Sequence, residues 1–240
     1  MAKMRIDKLL ANMGIGTRKE VKNFIKKGLV SVNGRIIKDN SLLVNTDLDT
    51  ILFEGKKINY QEFIYIMMNK PQGIISATYD PIEKTVIDLL PNELKARHPF
   101  PVGRLDKDTE GLLIITNDGE LAHKLLSPKK KVIKKYYVEI QGFVTENDID
   151  SFAKGIVFKD GYKTLPAKLE ILSSCDISKV YVYITEGKYH QIKRMFESIG
   201  KKAIYLKRLA MGNLQLDEKL QPGEWRILSD QELYLLKNSI

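Results

Sequence analysis

The chain has 240 residues, 43% hydrophobic and 29% charged, with a formal net charge of +9 and an isoelectric point near 9.3. That balance is typical of a globular protein, and the length accommodates a small domain plus a medium one whose core needs no disulfide or metal. A single cysteine, Cys175, excludes an intramolecular disulfide; His98, His123 and His190 are too scattered for a Cys/His zinc site; and no apolar run approaches the ~18 residues of a membrane span.

The opening Met-Ala-Lys-Met-Arg-Ile-Asp lacks the apolar core of a signal peptide, so the expectation is a cytoplasmic protein, with no membrane partner. The positive charge suggests a polyanionic partner, set against the plainer reading of a lysine-rich solvated surface. Its distribution favours the partner. Residues 1–60 hold 12 Lys and Arg against 6 Asp and Glu, so a quarter of the chain carries two thirds of the net charge.

From Arg5 to Met13, apolar Ile6, Leu9, Leu10 and Met13 recur at three- and four-residue spacing, which predicts a short helix. Gly14-Ile15-Gly16 ends it. Thr17 opens a second helix with Glu20 at the capping-box position, and Gly28 suits its far end. At about 100° per residue, Val21, Phe24 and Ile25 form an apolar face, while Arg18, Lys19, Lys22 and Lys26 form a basic stripe. Leu29–Val32 and Arg35–Ile37 flank Asn33-Gly34, a strong hairpin signal. The stretch MRIDKLLANMGIGTRKEVKNFIKKGLVSVNGRII resembles an S4 domain, a small RNA-binding module of αL-like fold. The resemblance implies RNA contacts from Arg5, Lys8, Arg18, Lys19, Lys22 and Lys26. Such contacts position a protein on the RNA backbone and carry little sequence information.

Thr50–Phe53 reads as a strand, Glu54–Lys57 as a polar turn, and the linker is expected near residues 55–63. FIYIMMNKPQG then reads as a buried strand ending in a Pro/Gly turn, and GLLIIT (111–116) as a second. Asn117-Asp118-Gly119 turns the chain into a short helix, Glu120–Leu126. KKYYVEIQGFV, AKLEIL and KVYVYIT read as further strands, and His190–Ile199 as a helix with Ile192, Met195, Phe196 and Ile199 at core spacing. Long strands outnumber helices and lack a βαβ rhythm. The expected class is α+β, with a mixed, largely antiparallel sheet flanked by helices.

The densest cluster is Pro101–Leu113, PVGRLDKDTEGLL. Asp106, Asp108, Glu110 and Gly111 match the start of a calcium loop, but its last ligand position is Asn117 and the segment that follows is strand-like, so calcium is rejected. GRLDKDTEGLL resembles the sequence around the aspartate of the RsuA-type pseudouridine synthases. NKPQGIIS (69–76), KKYYVEI with Lys134, Tyr136 and Val138 in register, and EGKYHQIKRMFESIG (186–200) resemble three further motifs of that family. The S4-like start belongs to the same subgroup, so the likeness spans nearly the whole chain.

The resemblance implies an S4 domain over residues 1–60 and a catalytic domain over 61–240. It also implies a monomer that isomerises a uridine of ribosomal RNA, with small-subunit RNA preferred by the YHQIKRMF sequence. Large-subunit RNA, and a non-catalytic S4-type RNA-binding protein, are the alternatives. Neither metal nor cofactor is expected, because the uracil ring carries the electronics of the reaction. Asp106 is the implied catalytic residue, by attack at C1′, attack at C6 or removal of a proton. Arg104 and Lys193 are the implied supporting cations, since a carboxylate in a pocket needs positive charge nearby. A uridine must leave its stack to react. Tyr136 is the implied stacking platform and Ile192 an apolar wall. Without the motif Tyr136 would read as core. His190 is given no catalytic role, and Trp225 reads as core or rim.

Overall fold

The computed structural model describes residues 3–240; Met1 and Ala2 of the opening stretch lie outside the described residues. The chain divides into two compact units. One ends at Ile64 and also includes Leu90–Pro99; the other comprises Tyr65–Leu89 and Phe100–Ile240.

In the first unit, β1 (Lys3–Arg5) leads into α1 (Ile6–Asn12), followed by α2 (Arg18–Lys26), β2 (Val30–Val32), β3 (Arg35–Ile36), β4 (Leu43–Asn45), β5 (Ile51–Phe53) and β6 (Lys56–Lys57), with the short α3 (Asn92–Lys95) in the later segment. The capping box at Thr17 is formed: Glu20 N–H donates to Thr17 Oγ1 at 3.3 Å, and Thr17 N–H donates to Glu20 Oε2 at 2.8 Å. Asn33 and Gly34, both at positive φ, make the hairpin turn between β2 and β3. Ile6, Leu9, Leu10, Val21, Ile25, Val30, Val44 and Ile51 close one core. Glu54 and Gly55 make the turn expected over 54–57, whereas Lys56 and Lys57 pair with β5.

The second unit is built on a sheet of nine strands among the described residues. These are β7 (Tyr65–Lys70), β8 (Phe100–Pro101), β9 (Glu110–Thr116), β10 (Lys134–Gln141), β11 (Lys168–Ser173), β12 (Ile177–Ile184), β13 (Lys202–Met211), β14 (Leu214–Gln215) and β15 (Trp225–Ile227). The central order is β11-β12-β10-β13-β9-β7-β15, antiparallel throughout except for the parallel β9–β13 pair. Helices α4 (Gly119–Leu126), α5 (Glu146–Lys154), α6 (Gln191–Ser198) and α7 (Asp230–Lys237) complete it. Leu121, Leu125 and Leu236 cover Met67, Leu112, Ile114 and Met211, while Phe152 of α5 meets Phe196 of α6 with ring centroids 4.9 Å apart. The mixed, largely antiparallel α+β architecture matches the expectation. Strand β13 escapes the sequence reading, because Lys207 and the buried Arg208 interrupt its apolar alternation. None of the described helices is long and apolar enough to cross a membrane.

Candidate active site

Asp106 lies in the loop between β8 and β9, and the chain that follows β7 fixes that loop. Lys70, the last residue of β7, is fully buried. Its Nζ donates at 3.0 Å to the carbonyl oxygens of Pro71, Asp106 and Thr109. A fourth carbonyl, Lys107 O, accepts at 3.5 Å, so every donor of the buried ammonium has an acceptor, which is what makes it tolerable. Burial pushes Lys70 down to about 8, against the opposing pull of Asp106, Asp108 and Glu110. Ser76 adds a second clamp: its Oγ donates to Leu105 O at 2.9 Å and accepts from Leu105 N–H at 3.0 Å. Gly73 N–H donates to Lys107 O at 2.8 Å.

The facing side comes from the approach to α6. Glu186 is buried and accepts from Tyr162 Oη at 2.6 Å, Leu165 N–H at 3.0 Å and Gln191 Nε2 at 2.7 Å. This anchors residues 186–191. His190 precedes α6 in a left-handed conformation, φ 49° and ψ 33°, which is uncommon for a residue with a Cβ. The turn brings His190 Nε2 to 3.7 Å from Asp106 Oδ1. Three residues on, in the first turn of α6, Lys193 Nζ lies 3.8 Å from Asp106 Oδ2 and 2.6 Å from both carboxylate oxygens of Asp108. Burial raises Asp108, but the hydrogen bond and charge of Lys193 outweigh it and hold the carboxyl below its ordinary value.

Strand β10 supplies the third wall. Its alternation buries Lys134, Tyr136 and Val138 on one face. Tyr136 lines a cleft of about 430 Å³ with Arg104, Asp106, Thr109, Ile184, His190, Ile192, Lys193 and Leu206. Lys134 lies nearby, donates to Val132 O at 3.1 Å, and is pushed down to about 8 by burial and the charge of Arg208, with Glu186 opposing.

One cleft therefore gathers all five residues assigned to the chemistry: Arg104, Asp106, Tyr136, Ile192 and Lys193. Among the described residues, the basic groups within 4.0 Å of the Asp106 carboxylate are Lys193 and His190. Arg104 is exposed at the rim. The three acids of the loop diverge: Asp108 holds Lys193, and Glu110 accepts from Tyr205 Oη at 2.7 Å. Among the described residues no group of three or more His, Cys, Asp or Glu is placed to hold a metal ion. In the other unit, Arg5, Lys8, Arg18, Lys19, Lys22 and Lys26 are all exposed, and the guanidinium of Arg5 also binds the buried Asp7 through Nε at 3.1 Å and Nη2 at 2.9 Å.

Sequence reasoning overlooked Lys70, Ser76, Glu186 and His190 as site-building residues. Lys70 left one legible signal, an Asn-Lys pair closing a run that is otherwise apolar, YIMMNK. The cleft can hold a planar base against an aromatic face, with a carboxylate at its edge and an ammonium facing that carboxylate.

Residues 64–198 match the model of the RNA pseudouridylate synthase family, and residues 4–49 match that of the S4 domain. Over 234 residues the chain is 51% identical to an uncharacterised RNA pseudouridine synthase, YtzG, of Bacillus subtilis, covering 97% of this chain and 98% of the relative. It is 38% identical over 231 residues to ribosomal small subunit pseudouridine synthase A of Vibrio cholerae (96% and 98% covered). It is 37% identical over 237 residues to ribosomal large subunit pseudouridine synthase B of Bacillus subtilis (97% and 95% covered). A crystal structure of a pseudouridylate synthase aligns with a TM-score of 0.68 at 37% identity, over 97% of this chain and 99% of that one.

Proposed function

The chain belongs to the RNA pseudouridylate synthase family, and from that membership we propose that it converts a uridine of small-subunit ribosomal RNA to pseudouridine through Asp106. The observation that carries the reading is the convergence of Asp106, Tyr136 and Lys193 on one cleft. A module that only bound RNA would not need a half-buried carboxylate facing an ammonium beside a buried aromatic wall.

The reaction breaks the N1–C1′ bond, turns the base and joins C5 to C1′; the proton on C5 is lost and N1 gains one. The uridine leaves its stack to expose the bond, and the Tyr136 ring replaces part of the lost stacking, an interaction worth ~1–3 kcal/mol per base. Ile192, Ile184 and Leu206 supply the apolar wall. Asp106 acts at C1′, at C6 or on the departing proton, and Lys193 balances its charge. The exposed basic stripe on α2 holds the RNA backbone, and the single exposed Cys175 fits a reducing cytoplasm.

The small-subunit target rests on Tyr189-His190-Gln191-Ile192-Lys193-Arg194-Met195; a large-subunit target is the second reading, favoured by the relative named for it. Pseudouridine mapping of ribosomal RNA from cells with and without the gene separates them. Loss of one site in the small-subunit RNA is the expected result. Loss in large-subunit RNA moves the target, and an unchanged map in both overturns the reading.

A further inference from the structure

Beside the catalytic cleft runs a wider groove of about 1260 Å³, which shares Arg104, Asp106 and Lys188 with it. Its character differs from that of the cleft. Leu126 and Leu165 are each 43% exposed along it, and Tyr189 is 67% exposed. Single exposed apolar residues are ordinary, but three on one groove that opens onto a charged cleft mark a contact surface.

Tyr189 is built as a platform. Its ring stacks on His190 with centroids 3.8 Å apart and planes 18° from parallel, and His190 Nε2 is 3.7 Å from Asp106. The left-handed turn at His190 and the anchoring of Glu186 fix this arrangement from both sides. One face of the Tyr189 ring is thus occupied by the imidazole. Nearby, Lys188 Nζ lies 4.9 Å from the centroid of the Tyr162 ring. The groove combines aromatic and apolar walls with the cations Arg104 and Lys188, the chemistry that takes a nucleobase with its phosphate.

We infer that the groove binds the nucleotide adjoining the target uridine, with its base stacked on Tyr189 and its phosphate between Arg104 and Lys188. The inference rests on the reading of the chain as a uridine-isomerising enzyme. The physical reason is specific: when the target uridine leaves the helix stack, its neighbour loses one stacking partner. An aromatic ring one step from the carboxylate replaces that partner. Tyr189 is then a specificity-determining residue that favours purine neighbours, which offer the larger face.

The test compares the wild type with Tyr189→Ala and Tyr189→Phe in the full chain. The probes are short single-stranded RNAs with one uridine flanked by purines, and the same RNAs with each neighbour replaced in turn by an abasic residue. Tyr189→Ala is expected to weaken binding to purine-flanked RNA by about fivefold or more, the low end for one lost base–aromatic stack. Tyr189→Phe should bind as the wild type does, and the Ala penalty should vanish on the RNA abasic at one neighbour. In turnover the loss should fall on KM and spare kcat. An Ala variant that binds like the wild type, or one equally weakened on every abasic RNA, overturns the inference. Binding is read without turnover, so the two ideas fail separately. A wild type with the binding contrast but no isomerase activity would defeat the catalytic reading and support the groove. Turnover without the contrast would do the reverse.

Discussion

The ammonium of Lys70 donates a 3.0 Å hydrogen bond to the backbone carbonyl of Asp106. A fully buried cation therefore sits beneath the carboxylate proposed to do the chemistry and sets its height through the main chain, with matching bonds to Pro71 and Thr109.

Replacing Lys70 with Met keeps the volume and removes every hydrogen bond of the ammonium. The loop should loosen, and kcat should fall about tenfold or more, while RNA affinity changes little, because misplacement of a reacting group by about 1 Å costs on the order of a hundredfold. The lysine also leaves a pH signature. Its value of about 8 in the folded chain lies below its ordinary 10.5, so between these pH values the unfolded chain binds a proton that the folded chain has released. Stability from this group therefore rises with pH across that window. The Tm difference between wild type and Lys70→Met should shift in favour of the wild type from pH 7 to pH 10. A constant difference would show that the proton is not displaced.

Asp106→Asn is nearly isosteric and should fold and bind RNA, yet an amide is neither the nucleophile nor the base required. Pseudouridine formation should fall below detection. Asp108→Asn should keep most activity, since Asp108 touches Lys193 rather than the base site. The same assay on ribosomal RNA reads both variants, and an active Asp106→Asn enzyme would remove Asp106 from the mechanism.

Gly111→Ala should unfold the larger unit or destabilise it by about 3 kcal/mol or more. Gly111 has φ +104°, and a Cβ there would stand 2.2 Å from Arg208 O and 2.7 Å from Arg208 N, within the parallel β9–β13 pair. Backbone on both strands cannot yield without breaking the ladder. Thermal melts of the variant and the wild type decide the point; equal Tm values would contradict the packing described.

The stripe of Arg18, Lys22 and Lys26 is exposed on α2. Changing all three to Ala should weaken RNA binding and flatten its dependence on salt, because fewer counterions are released. Turnover at saturating RNA should survive better than affinity. A titration series over salt concentration with an unchanged slope would remove the stripe from the RNA surface.

Local patterns carried much of this molecule. Thr17 and Glu20 announce a capped helix, Asn33-Gly34 a hairpin, and the apolar runs of β7, β9, β10 and β12 a sheet, because caps, turns and alternation are properties of a few neighbouring residues. Motifs spread over more than a hundred residues also pointed to Asp106, Tyr136, Ile192 and Lys193, which the fold brings to one cleft. Only the tertiary structure decided how those residues are held. Lys70 and Asp106 are 36 positions apart, and Lys193 and Asp108 are 85 apart. Such bonds depend on the sheet order that sets β7 and β13 on either side of β9, which no local period encodes. The same holds for β13, whose buried Arg208 reads as a surface residue until Leu112 O is found to accept from its Nε at 2.7 Å. A buried polar group needs a partner, and that partner comes from another strand, so its burial cannot be read from its own segment.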